Sequence, residues 1–288
     1  MHGHGTETGD DATVRRRTVA VGAVSVVAFV GLSVYTVAME PAPKLLAIAW
    51  FAFLTMAGGA AIGARTTERH PRGMVWTYGL ASGAMVTSSA VFLVPAAVGH
   101  SSAYGGFGIA AGVLTGFGAH AVGHRVSHRR LPLDRTAAEL TAHAISAGAI
   151  IGLVYTSMPT LGPLLGLSIV SHKGPAGYAA ADRFTRNGRP YSTILLPATG
   201  VGIAALTVSL FDPPGSATLQ GAVFGFAAGT FLHVAMDFLP SCETGSEVHA
   251  EAVATAGPSH ELLDRLRLHA VASTALGGIV VFLAWLAV

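Results

Sequence analysis

The chain has 288 residues, of which 51% are hydrophobic and only 11% charged, with 36 glycines and a formal net charge of +2. A water-soluble domain needs about a quarter of its residues charged, so this composition cannot build a solvated surface. The single cysteine, Cys242, excludes an internal disulfide. The arginines lie between apolar runs rather than on one face, which argues against nucleic acid as a partner.

In chain order, the polar head MHGHGTETGDDATV and the arginines behind it read as a disordered tail over 1–17. Nine apolar segments follow, at roughly 18–39, 45–64, 74–98, 104–124, 137–158, 160–181, 191–211, 217–240 and 268–288. Each is near the ~20 residues a helix needs to cross the hydrocarbon core. Their polarity does not alternate, which excludes a β-barrel, and helices are the remaining structure that satisfies its own backbone in lipid. The expected fold is an all-α integral membrane domain over 18–288 with about nine transmembrane helices. The first segment follows RRR as a secretion signal does, but its length and the lack of a small-x-small cleavage site make it an uncleaved helix. The acidic stretch 241–267 is expected as an inner loop that closes in a short amphipathic helix, HELLDRLRLH. With the N-terminus cytoplasmic, every Lys and Arg except Lys44 and Lys173 falls on the inner side, which places the C-terminus outside the cell membrane.

Two pairs of segments repeat. GLASGAMVTSSAVFLVP (79–95) and GFAAGTFLHVAMDFLP (225–240) both open with G-x-A-x-G and end in F-L and a proline. HAISAG (143–148) and HKGPAG (172–177) agree at their first, fifth and sixth positions. In the nine-span topology the members of each pair run in opposite directions, the sign of an inverted repeat, which carriers use to place a site near the bilayer midplane.

Ionisable groups inside a bilayer cost several kcal/mol unless partnered, so each is a functional candidate. His143, His172, Lys173, His233 and Asp237 lie within the spans. A lone intramembrane histidine is commonly interhelical packing. Two at one position of a repeated hexapeptide point instead to a shared late first-row metal, which suits imidazole. Pro175 removes an N–H and frees the Ser171 carbonyl, loosening the helix beside His172. Asp237 differs from Lys173 by roughly 10 Å in depth, so Lys173 either meets an anionic group or sheds its charge. His120, His124 and His128, spaced by four in HAVGHRVSH, share one helical face. That face either holds a divalent ion at the cytoplasmic end or is simply a basic helix end that sets orientation.

HAISAG and HKGPAG resemble the paired H-N-x-P-E-G motifs of the ZIP (zinc–iron permease) transporters, and the two glycine-rich segments resemble the G-F-x-A-G-x-M helices that flank that family's site. The resemblance covers 45–288, with 18–39 as an extra N-terminal helix. It implies inward movement of a divalent metal, Zn²⁺ above all, by alternating access, without enzymatic activity or a bound cofactor; the bilayer and the ion are the partners, and a homodimer is compatible. By resemblance the ligands are His143 and His172, with Met85, His233 and Asp237 as possible additions, and Lys173, Pro175 and Ser146 tuning the site. The chain departs from the pattern where the family has carboxylates: the Glu positions are Ala147 and Ala176, the Asn positions Ala144 and Lys173, and Leu196 precedes Pro197 where the next helix usually brings Glu. The resemblance therefore leaves open a transport-altered relative acting as metal sensor, scaffold or carrier of another ion. A metal-dependent intramembrane hydrolase that activates water on the face of His120, His124 and His128 would need an H-E-x-x-H motif or an acid beside those histidines, and neither is present.

Overall fold

A computed structural model describes residues 5–39, 42–65, 71–126, 134–157, 163–170, 173–186, 188–211, 216–240 and 260–287. Those residues are helical apart from short turns and connections. The helices are α1 (Gly5–Met39), α2 (Pro43–Gly63), α3 (Pro71–Ser88), α4 (Val94–His100), α5 (Ser102–Val126), α6 (Arg135–Ser157), α7 (Pro163–Val170), α8 (Lys173–Arg186), α9 (Leu195–Val208), α10 (Ala217–Asp237) and α11 (His260–Leu286). Among the described residues seven helices are long and apolar enough to cross a membrane, the architecture of an all-α multi-pass membrane protein. Large apolar side chains point outward, Val27 at 72% exposure and Phe107 at 71%, as lipid rather than water requires.

Several boundaries differ from expectation. Residues 5–17, expected as a disordered tail, are the start of α1. The expected separate amphipathic helix is the first turns of α11, which runs from His260 to Leu286 without interruption. No glycine or proline separates HELLDRLRLH from the apolar run behind it, so the helix simply propagates. The expected sixth span contains α7 (Pro163–Val170) and α8 (Lys173–Arg186), and residues 171 and 172 between them lie outside the described residues. Pro175 lies within α8, two residues after Lys173. The third span contains a π-helical turn, Ser89–Leu93, between α3 and α4. The Val94 N–H donates to the Ser89 carbonyl, five residues back. Pro95 has no N–H to continue an α-helical ladder, and the extra residue per turn relieves that mismatch.

The chain divides into two compact units, each described by itself. Unit 1 comprises 1–65, 119–163 and 176–213. Its centre is α9, against which α1, α2 and α6 pack. Glycines allow the close approaches: a Cβ at Gly148 would meet the Val201 backbone, one at Gly152 the Ala205 backbone, and one at Gly202 the Phe29 ring. Because Gly148 faces Val201 and Gly152 faces Ala205, α6 and α9 run parallel. The same holds for α1, whose Ser25 accepts from the Thr199 hydroxyl at 2.8 Å while Gly22 lies against Leu195 and Phe29 against Gly202. Phe29, Trp50 and Phe53 cluster with ring centroids 4.8–5.7 Å apart, and Met56, Phe184 and Ile194 fill the core.

One polar knot ties unit 1 together. Asp134 caps α6 by accepting from the Ala137 N–H at 3.1 Å, pairs with Arg189 at 3.4 Å, and donates its own N–H to the Thr18 hydroxyl at 2.8 Å. Replacing Asp134 by alanine removes the cap and the ion pair with Arg189. The expected cost is about 2 kcal/mol, read as a lower unfolding midpoint of the purified chain in micelles; an unchanged midpoint would show that the knot contributes nothing.

Unit 2 comprises 66–118, 164–175 and 214–288. Here α3 packs on α11 and α10, and α10 packs on α4 and α5. Gly79 and Gly83 of α3 lie against Thr274 and Gly278 of α11, while Gly277 of α11 lies against the Leu80 carbonyl. Gly225 and Gly229 of α10 lie against Ile109 and Val113 of α5, while Gly112 of α5 lies against the Phe226 carbonyl. Both pairs run parallel. Between α3 and α10 the direction is opposite: the Ser82 hydroxyl donates to the Ala235 carbonyl at 2.7 Å and the Ser89 hydroxyl to the Ala228 carbonyl at 3.1 Å. With no hydrophobic drive between helices in lipid, close backbone approach and such hydrogen bonds are what hold them.

Candidate functional site

His143 lies on α6 of unit 1, half-buried and next to Ala144. Ala144, Ala147, Gly148 and Ile151 are buried, and Ala144 and Gly148 meet α9 at Gly200 and Val201. Ala147 and Ala176, the positions where the resemblance expects carboxylates, are 4% and 7% exposed. They are apolar packing positions. Ser146 is exposed and its hydroxyl donates to the Ala142 carbonyl of its own helix at 2.9 Å. Leu196 and Pro197 are buried in the first turn of α9, where a proline is readily accommodated.

His172 lies outside the described residues. Beside it, Lys173 is the first residue of α8 and only 2% exposed. Pro175, two residues on, is half-buried and closes the unit 2 segment.

In unit 2, Met85 is fully buried in an apolar cluster with Val234 and Ala235, against which Phe238 packs. His233 continues the four-residue spacing of Gly221, Gly225 and Gly229 along α10. Its ring occupies the space where Gly116 of α5 lacks a Cβ, so that glycine is required by the imidazole. One turn on, Asp237 ends α10, with its Oδ2 3.5 Å from His233 Nε2 and its side chain 53% exposed. His233 and Asp237 are thus brought together at a helix end, the one with an apolar neighbour helix and the other open. On α5, His120 and His124 continue the four-residue spacing of Gly108, Gly112 and Gly116; His128 lies outside the described residues. Among the described residues no group of three His, Cys, Asp or Glu side chains is placed to hold a metal ion.

Sequence reasoning missed the serines. Ser82 and Ser89 are 0% exposed and bond to carbonyls of α10, yet serine in a glycine-rich span reads only as a small residue. Their spacing of seven on one face, within a segment that recurs elsewhere in the chain, is the signal that could have found them. The chain matches no protein-family model, and no curated protein matches it in sequence.

Proposed function

We propose that this chain is a ZIP-like multi-pass carrier, built on an inverted repeat, that moves a divalent metal inward across the cell membrane by alternating access, zinc being the ion its histidines suit best. The observation that carries the reading is the recurrence of unit 2 contacts under a constant shift. In the repeat, Gly79 corresponds to Gly225 and Gly83 to Gly229. On the partner helices, Thr274 then corresponds to Ile109 and Gly278 to Val113. Gly83 against the Thr274 carbonyl and Gly278 nitrogen is matched by Gly229 against the Ile109 carbonyl and Val113 nitrogen. Gly277 against the Leu80 carbonyl is matched by Gly112 against the Phe226 carbonyl. The two serine bonds exchange as well: Ser82 to Ala235 becomes Ala228 with Ser89. A two-fold relation between oppositely directed helix pairs is the architecture that lets a carrier open to each side in turn.

Helix directions support nine crossings. Parallel packing of α6 and α9 requires the chain to recross the bilayer between them, and α7 with α8 is the segment available. Opposite directions of α3 and α10 agree with the third and eighth of nine spans. In this reading His143 and His172 bind the ion, with His233 and Asp237 near the inner end of α10 receiving it.

A second reading, a relative with altered transport that senses metal or carries another ion, is favoured by the buried alanines at 147 and 176 and by the apolar packing around Met85. Zinc uptake into vesicles reconstituted with the purified chain separates the two. Saturable uptake above that of protein-free vesicles supports the carrier. Zinc binding without uptake supports the altered relative, and neither binding nor uptake removes zinc from the account.

A further inference from the structure

Two stretches of α11 are held to α3 in different ways. The first turns are held by side chains: Leu266 packs on Val75, with Leu262, Leu263 and Ala270 around them, and the Trp76 indole N–H donates to His269 Nδ1 at 3.3 Å. From Ser273 onward the hold is close backbone approach, with Gly83 against the Thr274 carbonyl and Gly277 against the Leu80 carbonyl. A glycine contact is indifferent to protons. The Trp76–His269 bond is not. An indole N–H can only donate, so Nδ1 accepts, and His269 is the neutral tautomer with its proton on Nε2. A proton taken from solvent onto Nδ1 turns the acceptor into a second donor facing the indole N–H.

The ring geometry offers the charged imidazole no compensation. The ring centroids are 6.1 Å apart and the planes tilted by 53°. The indole turns its N–H edge, the positive rim of its quadrupole, toward the imidazole, so no cation–π contact replaces the lost bond. Both side chains are part-exposed, which gives the proton access. Among the described residues, the charged groups of the neighbouring first turns are Arg72 on α3 and, on α11, Arg265 paired with Glu261 and Arg267 paired with Asp264. On α10, which packs on α3 through Ser82 and Ser89, Asp237 lies 3.5 Å from His233.

We propose that Trp76 and His269 form a proton-operated latch within unit 2. Neutral His269 holds the first turns of α11 on α3. A proton on Nδ1 breaks the bond and lets residues 260–268 part from Val75, while the glycine contacts beyond Ser273 stay closed. The latch goes beyond the metal-carrier reading and does not depend on it, since neither zinc nor its candidate ligands enter the argument.

The test follows the indole N–H signals of the full chain, labelled with 15N at its three tryptophans, in detergent with a chelator present. The Trp76 signal is the one lost in Trp76→Phe. Between pH 8 and pH 5, the range in which imidazole changes charge, the wild-type Trp76 signal is expected to move through a single titration. In His269→Gln the side-chain carbonyl accepts from the indole at every pH, so the signal is expected to stay fixed near its high-pH position. Amide exchange tests the parting of the helices. Protection of residues 261–268 relative to 274–284, compared at one pH so that intrinsic rates cancel, should fall about fivefold in acid, the worth of one hydrogen bond, and should not fall in His269→Gln. A wild-type Trp76 signal that does not move, a His269→Gln signal that moves as the wild type's does, or a protection ratio indifferent to pH would each overturn the proposal.

Discussion

Gly83→Ala and Gly229→Ala should each destabilise the protein, and by similar amounts. In an ordinary exposed helix the same change is stabilising by up to about 1 kcal/mol, because alanine loses less backbone entropy. At Gly83 the added methyl would meet the Thr274 carbonyl and at Gly229 the Ile109 carbonyl, in both cases backbone that no rotamer change can move aside. The helices must separate, at a cost of about 3 kcal/mol or more each. Gly58 and Gly106 are the internal controls: both are exposed and have nothing within 4 Å of an added Cβ. Alanine there should raise the midpoint slightly. Unfolding midpoints of the four variants in one detergent decide the matter. If Gly83→Ala and Gly229→Ala behave like the controls, the close helix contacts are absent in the molecule.

The second large effect concerns the paired histidines. Replacing His143 and His172 together with alanine should lower zinc uptake into vesicles by more than about tenfold, since loss of even an outer partner of a ligand costs 10–100-fold in metal affinity. Ala147 and Ala176 stand at the positions where the resemblance expects carboxylates that could take over. Uptake unaffected by the double replacement would reject these two imidazoles as the site while leaving the helical framework untouched.

The membrane character was legible because it is a property of composition: a chain with 11% charged residues has no alternative to lipid. Seven of the expected spans correspond to helices of sufficient length and apolarity. Boundaries were less legible, since a polar stretch such as HELLDRLRLH carries no breaker and joins whatever helix follows it. The π-turn before Pro95 was not readable, because the ladder can adjust to a proline in several ways and packing chooses between them. Of the candidate site, the repeated glycines could be seen in the sequence, but not which backbone each would face. Gly229 and Ile109 are distant in sequence, and only tertiary packing brings them together. The pairing of His233 with Asp237 is compatible with their spacing of four, but no sequence signal points to Gly116, the glycine that makes room for the imidazole.

The inverted relation between α3 and α10 is tested most directly by labelling from each side of the membrane. Cys242 is replaced by serine, and a single cysteine is placed at Gly73, exposed at the start of α3, or at Ser216, exposed just before α10. An impermeant maleimide added to right-side-out or inside-out vesicles should reach Gly73→Cys from the cytoplasmic face and Ser216→Cys from the opposite face. Labelling of both positions from the same face would contradict the inverted repeat, and with it the carrier built upon it.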